Sequence, residues 1–233
     1  MNRNYIIPAA AVAIGLIFLG LMIPRAVRVH SQSQRTVTVK GLCEREVAAD
    51  KVIWPIKYKT VSNNLQEIYS DIAAKDEAIC RFLEEGGVSK DEITISMPAI
   101  SDKYAQEYGN NERTYRFVAS RTITVCSKDV EKVKALMNRQ TEMIKKGISI
   151  ENDWESQVIF SFEGLNGLKP EMIQEATENA REVALKFAAD SQSELGKIKQ
   201  ASQGTFSIED RDANTPSVKR VRVVTNIVYY LSN

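Results

Sequence analysis

Residues 51–61, KVIWPIKYKTV, followed by residues 62–87, SNNLQEIYSDIAAKDEAICRFLEEGG, decide the fold class of this chain. In the first stretch apolar side chains recur at every second position, which is the period of a strand with one buried face. In the second they recur every three or four positions and stop at a glycine pair, as in an amphipathic helix. The strand positions are Val52, Trp54, Ile56 and Tyr58, and the helix positions are Leu65, Ile68, Ile72, Ile79 and Leu83. The sequence therefore predicts a strand that leads directly into a helix.

The rest of the chain continues with pairs of strands separated by helices. Further strands are predicted over residues 35–40, 92–101, 114–126, 157–163, 198–208 and 218–231. A second helix is predicted from Ser127 to Gly147, with Val130, Val133, Leu136, Met137 and Ile144 on its apolar face. A third is predicted with Pro170 in its first turn and its end at Gly196, with Ile173, Ala176, Ala180, Val183, Phe187 and Leu195 on its apolar face.

The resulting order, β-β-α-β-β-α-β-α-β-β, lacks the regular βα repeat of a doubly wound fold. It predicts an α+β fold, with three amphipathic helices on a mainly antiparallel sheet. Pro55 has no backbone N–H to donate, so it predicts that the strand of residues 51–61 lies at a sheet edge or contains a bulge.

The start of the chain predicts a membrane anchor. No charged residue occurs from Tyr5 to Ile23, and this run is long enough to cross about 28 Å as a helix at ~1.5 Å per residue. No small-x-small cleavage site follows, which favours an uncleaved anchor over a signal peptide removed from a periplasmic protein. The apolar anchor positions are Ile6, Ile7, Ile14, Leu16, Ile17, Phe18, Leu19, Leu21 and Ile23. We therefore expect an anchor at 1–30, a polar linker at 31–34 and a folded domain at 35–233.

Charge and histidine content exclude several classes of function. Lysine and arginine total 31 against 30 aspartate and glutamate, a formal net charge of +1, which argues against nucleic acid as the main partner. The single histidine, His30, lies in the leader. The folded part therefore cannot build a Ser-His-Asp or Cys-His catalytic site or a histidine-dependent metal centre.

Three cysteines, Cys43, Cys80 and Cys126, occur without Cys-x-x-Cys spacing, so neither a zinc site nor a thioredoxin-like motif is indicated. The favoured interpretation is that they are small buried apolar residues. Two alternatives remain open, a disulfide between two of them or a reactive thiol at Cys126, which lies two residues before Lys128.

Residues 210–214 place Asp210, Asp212 and Asn214 at the first ligand positions of a calcium loop. The sixth position, where that loop needs glycine, is Thr215, and the twelfth, where it needs glutamate, is Val221. A solvated hairpin loop is therefore predicted, and no metal is expected there.

Several short motifs resemble the SIMPL-domain family. Residues 39–43, VKGLC, and 47–52, VAADKV, resemble its opening pattern of Val-x-Gly-x-Gly followed by Pro-Asp and a strand. Residues 87–93, GVSKDEI, and 115–120, YRFVAS, resemble its first helix-to-strand connection and central strand, and the alanine-rich helix 171–195 resembles its long helix. The likeness covers about residues 36–231, and the departures are Cys43 for the second glycine and Ala49 for the proline.

The resemblance implies an extracytoplasmic bacterial protein with a poorly defined role, since some relatives are described as periplasmic immunogenic or oxidative-stress-defence proteins. It carries over no catalytic residues. Basic residues after the apolar run outnumber those before it, which on charge alone would place the domain in the cytoplasm. The resemblance instead favours a periplasmic domain.

We therefore expect a single-pass protein of the bacterial inner membrane whose C-terminal domain lies in the periplasm. It is expected to act as a structural, self-assembling or binding module of the envelope, and a link to envelope stress rests on the resemblance alone. The expected partners are the membrane, further copies of the chain and an envelope protein that binds a free sheet edge; no nucleic acid and no cofactor is expected. The alternative is a histidine-independent hydrolase or redox enzyme that uses cysteine, lysine or carboxylates.

Overall fold

The computed structural model describes residues 13, 15–23, 35–105 and 114–232. The strands are β1 (Thr36–Ala48), β2 (Lys51–Ser62), β3 (Ile93–Ile95), β4 (Ala99–Asp102), β5 (Phe117–Ser127), β6 (Ile150–Glu151), β7 (Ile159–Ser161), β8 (Glu194–Gln203), β9 (Ser207–Asp210) and β10 (Val218–Ser232). The helices are α1 (Leu65–Glu85), α2 (Val130–Asn138), α3 (Thr141–Lys145) and α4 (Leu165–Asp190), with 3-10 turns at Lys90–Glu92 and Trp154–Ser156. Residues 15–23 are also helical.

The strands form two antiparallel sheets. One has the order β1-β10-β8, with β9 also paired to β10. The other has the order β3-β5-β2-β6, with β4 paired to β5 and β7 paired to β2. The predicted α+β class with mainly antiparallel sheet is confirmed.

The chain divides into two compact units. The first comprises the chain up to Arg45, Gly167–Ser207 and the chain from Val221; the second comprises Glu46–Asn166 and Ile208–Arg220. The second unit has a core in which one face of β2 and β5 packs against α1, α2 and α3. Its largest fully buried side chains include Tyr58, Phe82, Ile56, Ile68, Ile79, Leu83 and Ile123.

Helix α1 forms as the sequence predicts. The Asn64 side chain caps it by accepting a hydrogen bond from the Gln66 N–H, and the chain leaves it through Gly87, whose φ of 83° suits glycine. The apolar positions Ile68, Ile72, Ile79 and Leu83 are buried, whereas Leu65, which was predicted on the same face, lies in the first turn and is exposed.

In the first unit, α4 packs on the inner face of β1 and β10. It does so through a stripe of small residues at every fourth position, which are Ala176, Ala180, Ala184 and Ala188. Gly41 of β1 lies directly beneath this stripe, since a Cβ there would come within 1.7 Å of the Ala176 carbonyl oxygen. Helix and strand backbones are therefore in direct contact, which larger side chains would prevent.

The prediction for α4 was wrong in its bounds and in part of its buried face. The helix begins at Leu165, so Pro170 is its sixth residue, and it ends at Asp190, so Gly196 lies in β8. Val183 and Phe187 are exposed, because the alanine stripe takes the position against the sheet. Apolar spacing alone does not show that small residues occupy the buried face.

The predicted second helix is interrupted. Asp129, and not Ser127, caps α2 by accepting a hydrogen bond from the Lys132 N–H, and the chain breaks at residues 139–140 before α3. The break rotates the apolar face, so that Met143 is buried and Ile144 is exposed. Between Thr36 and Ser232 the described residues therefore contain four helices, where three were predicted.

Several strand predictions also change. The predicted strand 198–208 is two strands, β8 and β9, and the predicted strand 35–40 is the start of the longer β1. Residues 92–101 form two strands, because Pro98 and the exposed Met97 interrupt the pairing with β5, and one extra residue is accommodated between β3 and β4. Pro55 does not lie at an edge, because β2 pairs with β5 on one side and with β6 and β7 on the other. It lies opposite the gap between β7 and β6, where its missing N–H interrupts no pairing with either strand. The predicted strand 157–163 is the shorter β7, and β6 was not predicted.

The predicted anchor falls partly outside the described residues, which include neither Ile6, Ile7 nor Ile14. The other anchor positions lie in the helical stretch 15–23 and are exposed: Leu16, Ile17, Phe18, Leu19, Leu21 and Ile23. Within the described residues, no helix combines the length and the apolar character needed to cross a membrane.

Candidate interaction surface

A groove lies in the first unit between α4 and the edge strand β8, and we call it the α4–β8 groove. Its volume is about 330 Å³. Its lining residues are Thr177, Arg181 and Leu185 from α4, Leu195, Gly196, Lys197 and Ile198 from β8, and Tyr229 from β10. Leu185 and Ile198 are each 49% exposed, so a large part of the apolar wall faces solvent.

The alanine stripe explains the helix side of this groove. Because the small residues take α4 close to the sheet, the side chains next to the stripe project along its flank. Thr177, Arg181 and Leu185 are spaced four residues apart and lie together on the flank nearest β8. The helix therefore presents one hydroxyl, one cation and one apolar side chain in a row.

Two bulges in β8 shape the side of the groove that this strand forms. Between Val228 and Tyr229 of β10 the paired residues of β8 advance by two positions, from Gln200 to Ile198, and a second extra residue follows before Leu195. In a regular strand Lys197 and Ile198 would point to opposite faces, but both line this groove. The second bulge falls between Ile198 and Leu195, so Lys197 belongs to the irregular stretch of β8 that lines the groove.

The charged residues of the groove lining share one sign. They are Arg181 and Lys197, and both are basic. Within the part of the chain that the structure describes, neither forms a salt bridge with a carboxylate. The groove therefore combines two unneutralised positive charges with an apolar wall.

A second cluster in the first unit joins a thiol, a cation and carboxylates. Arg45 binds Glu171 at 2.7 Å and Glu175 at 3.1 Å, and the Cys43 thiol is hydrogen-bonded to Glu175. Burial, followed by the hydrogen bond and charge of Glu175, raises the pKa of Cys43 to about 11. The thiol therefore stays protonated at neutral pH and is a poor nucleophile. Cys43 is only 1% exposed, so this cluster is better suited to holding α4 against β1 than to catalysis.

The three cysteines have different environments and are all free. Cys43 is buried, as predicted. Cys80 is partly buried, and burial is the largest of the causes that raise its pKa. Cys126 is exposed, so the expectation that it is a buried small residue was wrong. It alternates with the buried Val125 and Ser127, so its side chain lies on the opposite face of β5.

The acidic loop at 210–214 uses its carboxylates internally. Asp212 accepts hydrogen bonds from the backbone N–H groups of Asn214 and Thr215 and pairs with Arg211, and Asp210 pairs with Lys219. The hydrogen bonds of Thr215 and Arg211 hold the pKa of Asp212 well below its usual range. In the described ranges, no group of three histidine, cysteine, aspartate or glutamate side chains is placed to hold a metal ion.

Asp50 has a structural role that the sequence analysis did not predict. Its carboxylate accepts hydrogen bonds from the N–H groups of Glu163 and Gly164, both at 2.7 Å, just before α4 begins. Gly164 fits this contact, since a Cβ there would lie 3.1 Å from the Asp50 carboxylate. The aspartate of the opening motif thus fixes the start of a helix far along the chain, which also explains why α4 begins before Pro170.

Comparison with known proteins identifies a family of unknown function. Among curated proteins, none matches the chain significantly. A family model described as SIMPL, a protein of unknown function (DUF541), matches residues 37–228, which include both sheets and all four labelled helices. The chain therefore belongs to the SIMPL family.

Proposed function

We propose that this chain is a membrane-anchored module of the bacterial envelope, with its folded part in the periplasm, that assembles with copies of itself through a free strand edge. The observation that carries the proposal is the segment Gln200–Gln203 of β8. Among the described strands β8 pairs only with β10, so its other edge has no strand partner. All four residues of the segment are exposed.

The segment Gln200–Gln203 lacks the usual protection against pairing, whereas the earlier part of β8 carries Lys197 and Lys199. Natural edge strands commonly carry charges, proline or bulges that discourage contact with another chain. The segment reads Gln-Ala-Ser-Gln, without charge or proline, and its register with Thr225–Val228 is regular. The bulges lie nearer the start of β8. An antiparallel or parallel strand of a second copy could therefore extend this sheet, and the anchor would raise the local concentration of copies.

The test is the oligomeric state of the full chain in lipid nanodiscs, measured by native mass spectrometry and cross-linking. We expect the unmodified chain to form a defined oligomer. The double variant Ala201→Lys, Ser202→Lys should be monomeric, because charges on an edge oppose strand pairing. The matched control is Ser70→Lys on the exposed side of α1, which should leave the oligomer unchanged.

A monomer at every concentration of the unmodified chain would overturn the proposal. So would an oligomer that survives the double variant with its size unchanged. Circular dichroism of each variant checks that the fold is retained.

The alternative of a histidine-independent enzyme has less support. The cysteine that lies among carboxylates, Cys43, is buried and protonated at neutral pH. Cys126 is exposed, but within the described residues no hydrogen bond joins its thiol to a base that would activate it.

A further inference from the structure

The α4–β8 groove has features that strand pairing at Gln200–Gln203 does not use. It is concave, it lies at the bulged end of β8, and it brings Arg181 and Lys197 together with Leu185, Leu195 and Ile198. The two bulges interrupt the regular ladder at this point, so the groove is not a simple continuation of the free edge. The groove is therefore better suited to a small molecule than to an additional strand.

The charges of the groove specify the head group of such a molecule. Arg181 and Lys197 are both without a carboxylate partner in the described part of the chain, and no acidic residue lines the groove there. An arginine fork matches a carboxylate with two parallel hydrogen bonds, and a lysine adds a second positive charge. The hydroxyl of Thr177 lies on the same helical flank as a further donor.

The apolar residues of the groove indicate the chemistry of the rest of the ligand. Leu185 and Ile198 each leave about half of their surface exposed, and Tyr229 closes the floor with 4% exposure. The volume of about 330 Å³ is at the small end of the range for ligand sites, which begins at roughly 300 Å³. The site therefore suits a short apolar chain and is too small for a folded partner.

We propose that the α4–β8 groove binds an amphiphilic carboxylate, with its head group between Arg181 and Lys197 and its apolar chain against Leu185, Leu195 and Ile198. This site goes beyond the proposed assembly, because it does not require the edge segment Gln200–Gln203. The ligand class follows from charge complementarity at one end of the groove and apolar exposure at the other.

The test uses the full chain in lipid nanodiscs and a photoreactive medium-chain carboxylic acid that carries a diazirine. After irradiation, labelled peptides are identified by mass spectrometry, which separates labelling in the groove from partition into the bilayer. We expect label on the peptides that contain Leu185 and Ile198. Octanoate should compete for this label, whereas octanol and octylammonium should not.

Charge variants provide the second arm. Arg181→Gln and Lys197→Gln should each weaken competition by octanoate about tenfold, the usual scale for loss of one charge-assisted contact. The matched control is Lys186→Gln, which removes an exposed lysine of α4 outside the groove lining and should leave competition unchanged. All three positions are exposed, so the variants are expected to fold.

Three results would overturn the proposal. They are label that avoids both groove peptides, equal competition by octanol and octanoate, and equal loss in the Lys186→Gln control. Stronger competition by octyl phosphate than by octanoate would overturn the carboxylate head group and assign the groove to a phosphorylated amphiphile. Because the readout is peptide labelling, it does not depend on whether the chain assembles.

Discussion

Gly41 is the residue at which the packing of α4 against β1 leaves no space. A Cβ at this position would lie 1.7 Å from the Ala176 carbonyl oxygen and 2.8 Å from the Ala180 nitrogen. Both neighbours are helix backbone, which cannot rotate away as a side chain can. The glycine of the opening motif is thus required by a direct contact between backbones, and its φ is not in the left-handed region.

We therefore predict that Gly41→Ala destabilises the protein by about 3 kcal/mol, at the upper end of the usual cost of overpacking. The check is denaturant unfolding followed by circular dichroism. The control is Gly167→Ala in α4, where no heavy atom lies within 4 Å of the added Cβ. That change should leave stability equal or slightly higher, because alanine favours helix more than glycine does. Equal stability of Gly41→Ala and the unmodified protein would contradict the packing described.

At the scale of single elements, the turn Trp154–Ser156 is held by an unusually complete set of contacts. Asp153 accepts hydrogen bonds from the N–H groups of Glu155 and Ser156 and pairs with Lys57 at 2.7 Å. The Lys57 ammonium, the largest cause, and the Ser156 hydroxyl lower the pKa of Asp153 to about 2. The carboxylate thus stays charged in the folded protein at pH values where it is protonated in the unfolded chain.

This predicts a defined pH dependence for Asp153→Asn. The folded pKa lies below the unfolded value of about 3.9, so the charged carboxylate stabilises the fold fully above that value and loses its effect as pH falls toward 2. The variant should have a lower Tm than the unmodified protein at pH 7, and the difference should shrink as pH falls from about 4 to 2 and disappear below pH 2. The control Glu77→Gln, in an exposed pair with Arg81, should change Tm little at any pH. A Tm difference that is constant from pH 7 to pH 2 would contradict the role given to Lys57.

Local sequence patterns predicted several of these elements and missed others. Period-two alternation located β2, β5 and β10, and helical spacing with its cap located α1, because these signals are local. The start of α4 was missed because its cap is Asp50, more than a hundred residues earlier in the chain. The break between α2 and α3 was missed because the apolar spacing continues through it.

The candidate site was less accessible to prediction than the fold. A free sheet edge was expected, but the α4–β8 groove depends on two bulges in β8 and on the depth at which α4 packs. Neither feature has a signature in the local sequence. Cys126 was placed in the wrong environment because the three cysteines were interpreted as a group, although alternation with the buried Ile123 and Val125 puts Cys126 on the opposite face of β5.

At the scale of the whole molecule, the side of the membrane on which the folded part lies can be tested through Cys126. This thiol is exposed, whereas Cys43 is buried and Cys80 is partly buried. We predict that a membrane-impermeant maleimide labels Cys126 in intact spheroplasts, as a periplasmic location requires. Labelling is measured by the mass of the captured peptide.

Cys126→Ser is the control, and it should abolish labelling in spheroplasts. Labelling of lysed cells shows whether the Cys126 thiol reacts with the maleimide when no membrane separates them. Labelling that occurs only after lysis would place the folded part in the cytoplasm and contradict the proposed location.

The pairing of β1 with β10 joins the first labelled strand of the chain to the last. In the four-stranded sheet, β1 can therefore form its hydrogen bonds with β10 only after β10 has been synthesised. Contacts between such distant segments form slowly, because the chain entropy lost in closing the loop comes before the gain from pairing. In contrast, β2, α1 and β5 follow one another closely and can form their core first. A chain that emerges from its N-terminus thus exposes β1 unpaired throughout synthesis, and this is the interval in which it is most vulnerable to aggregation.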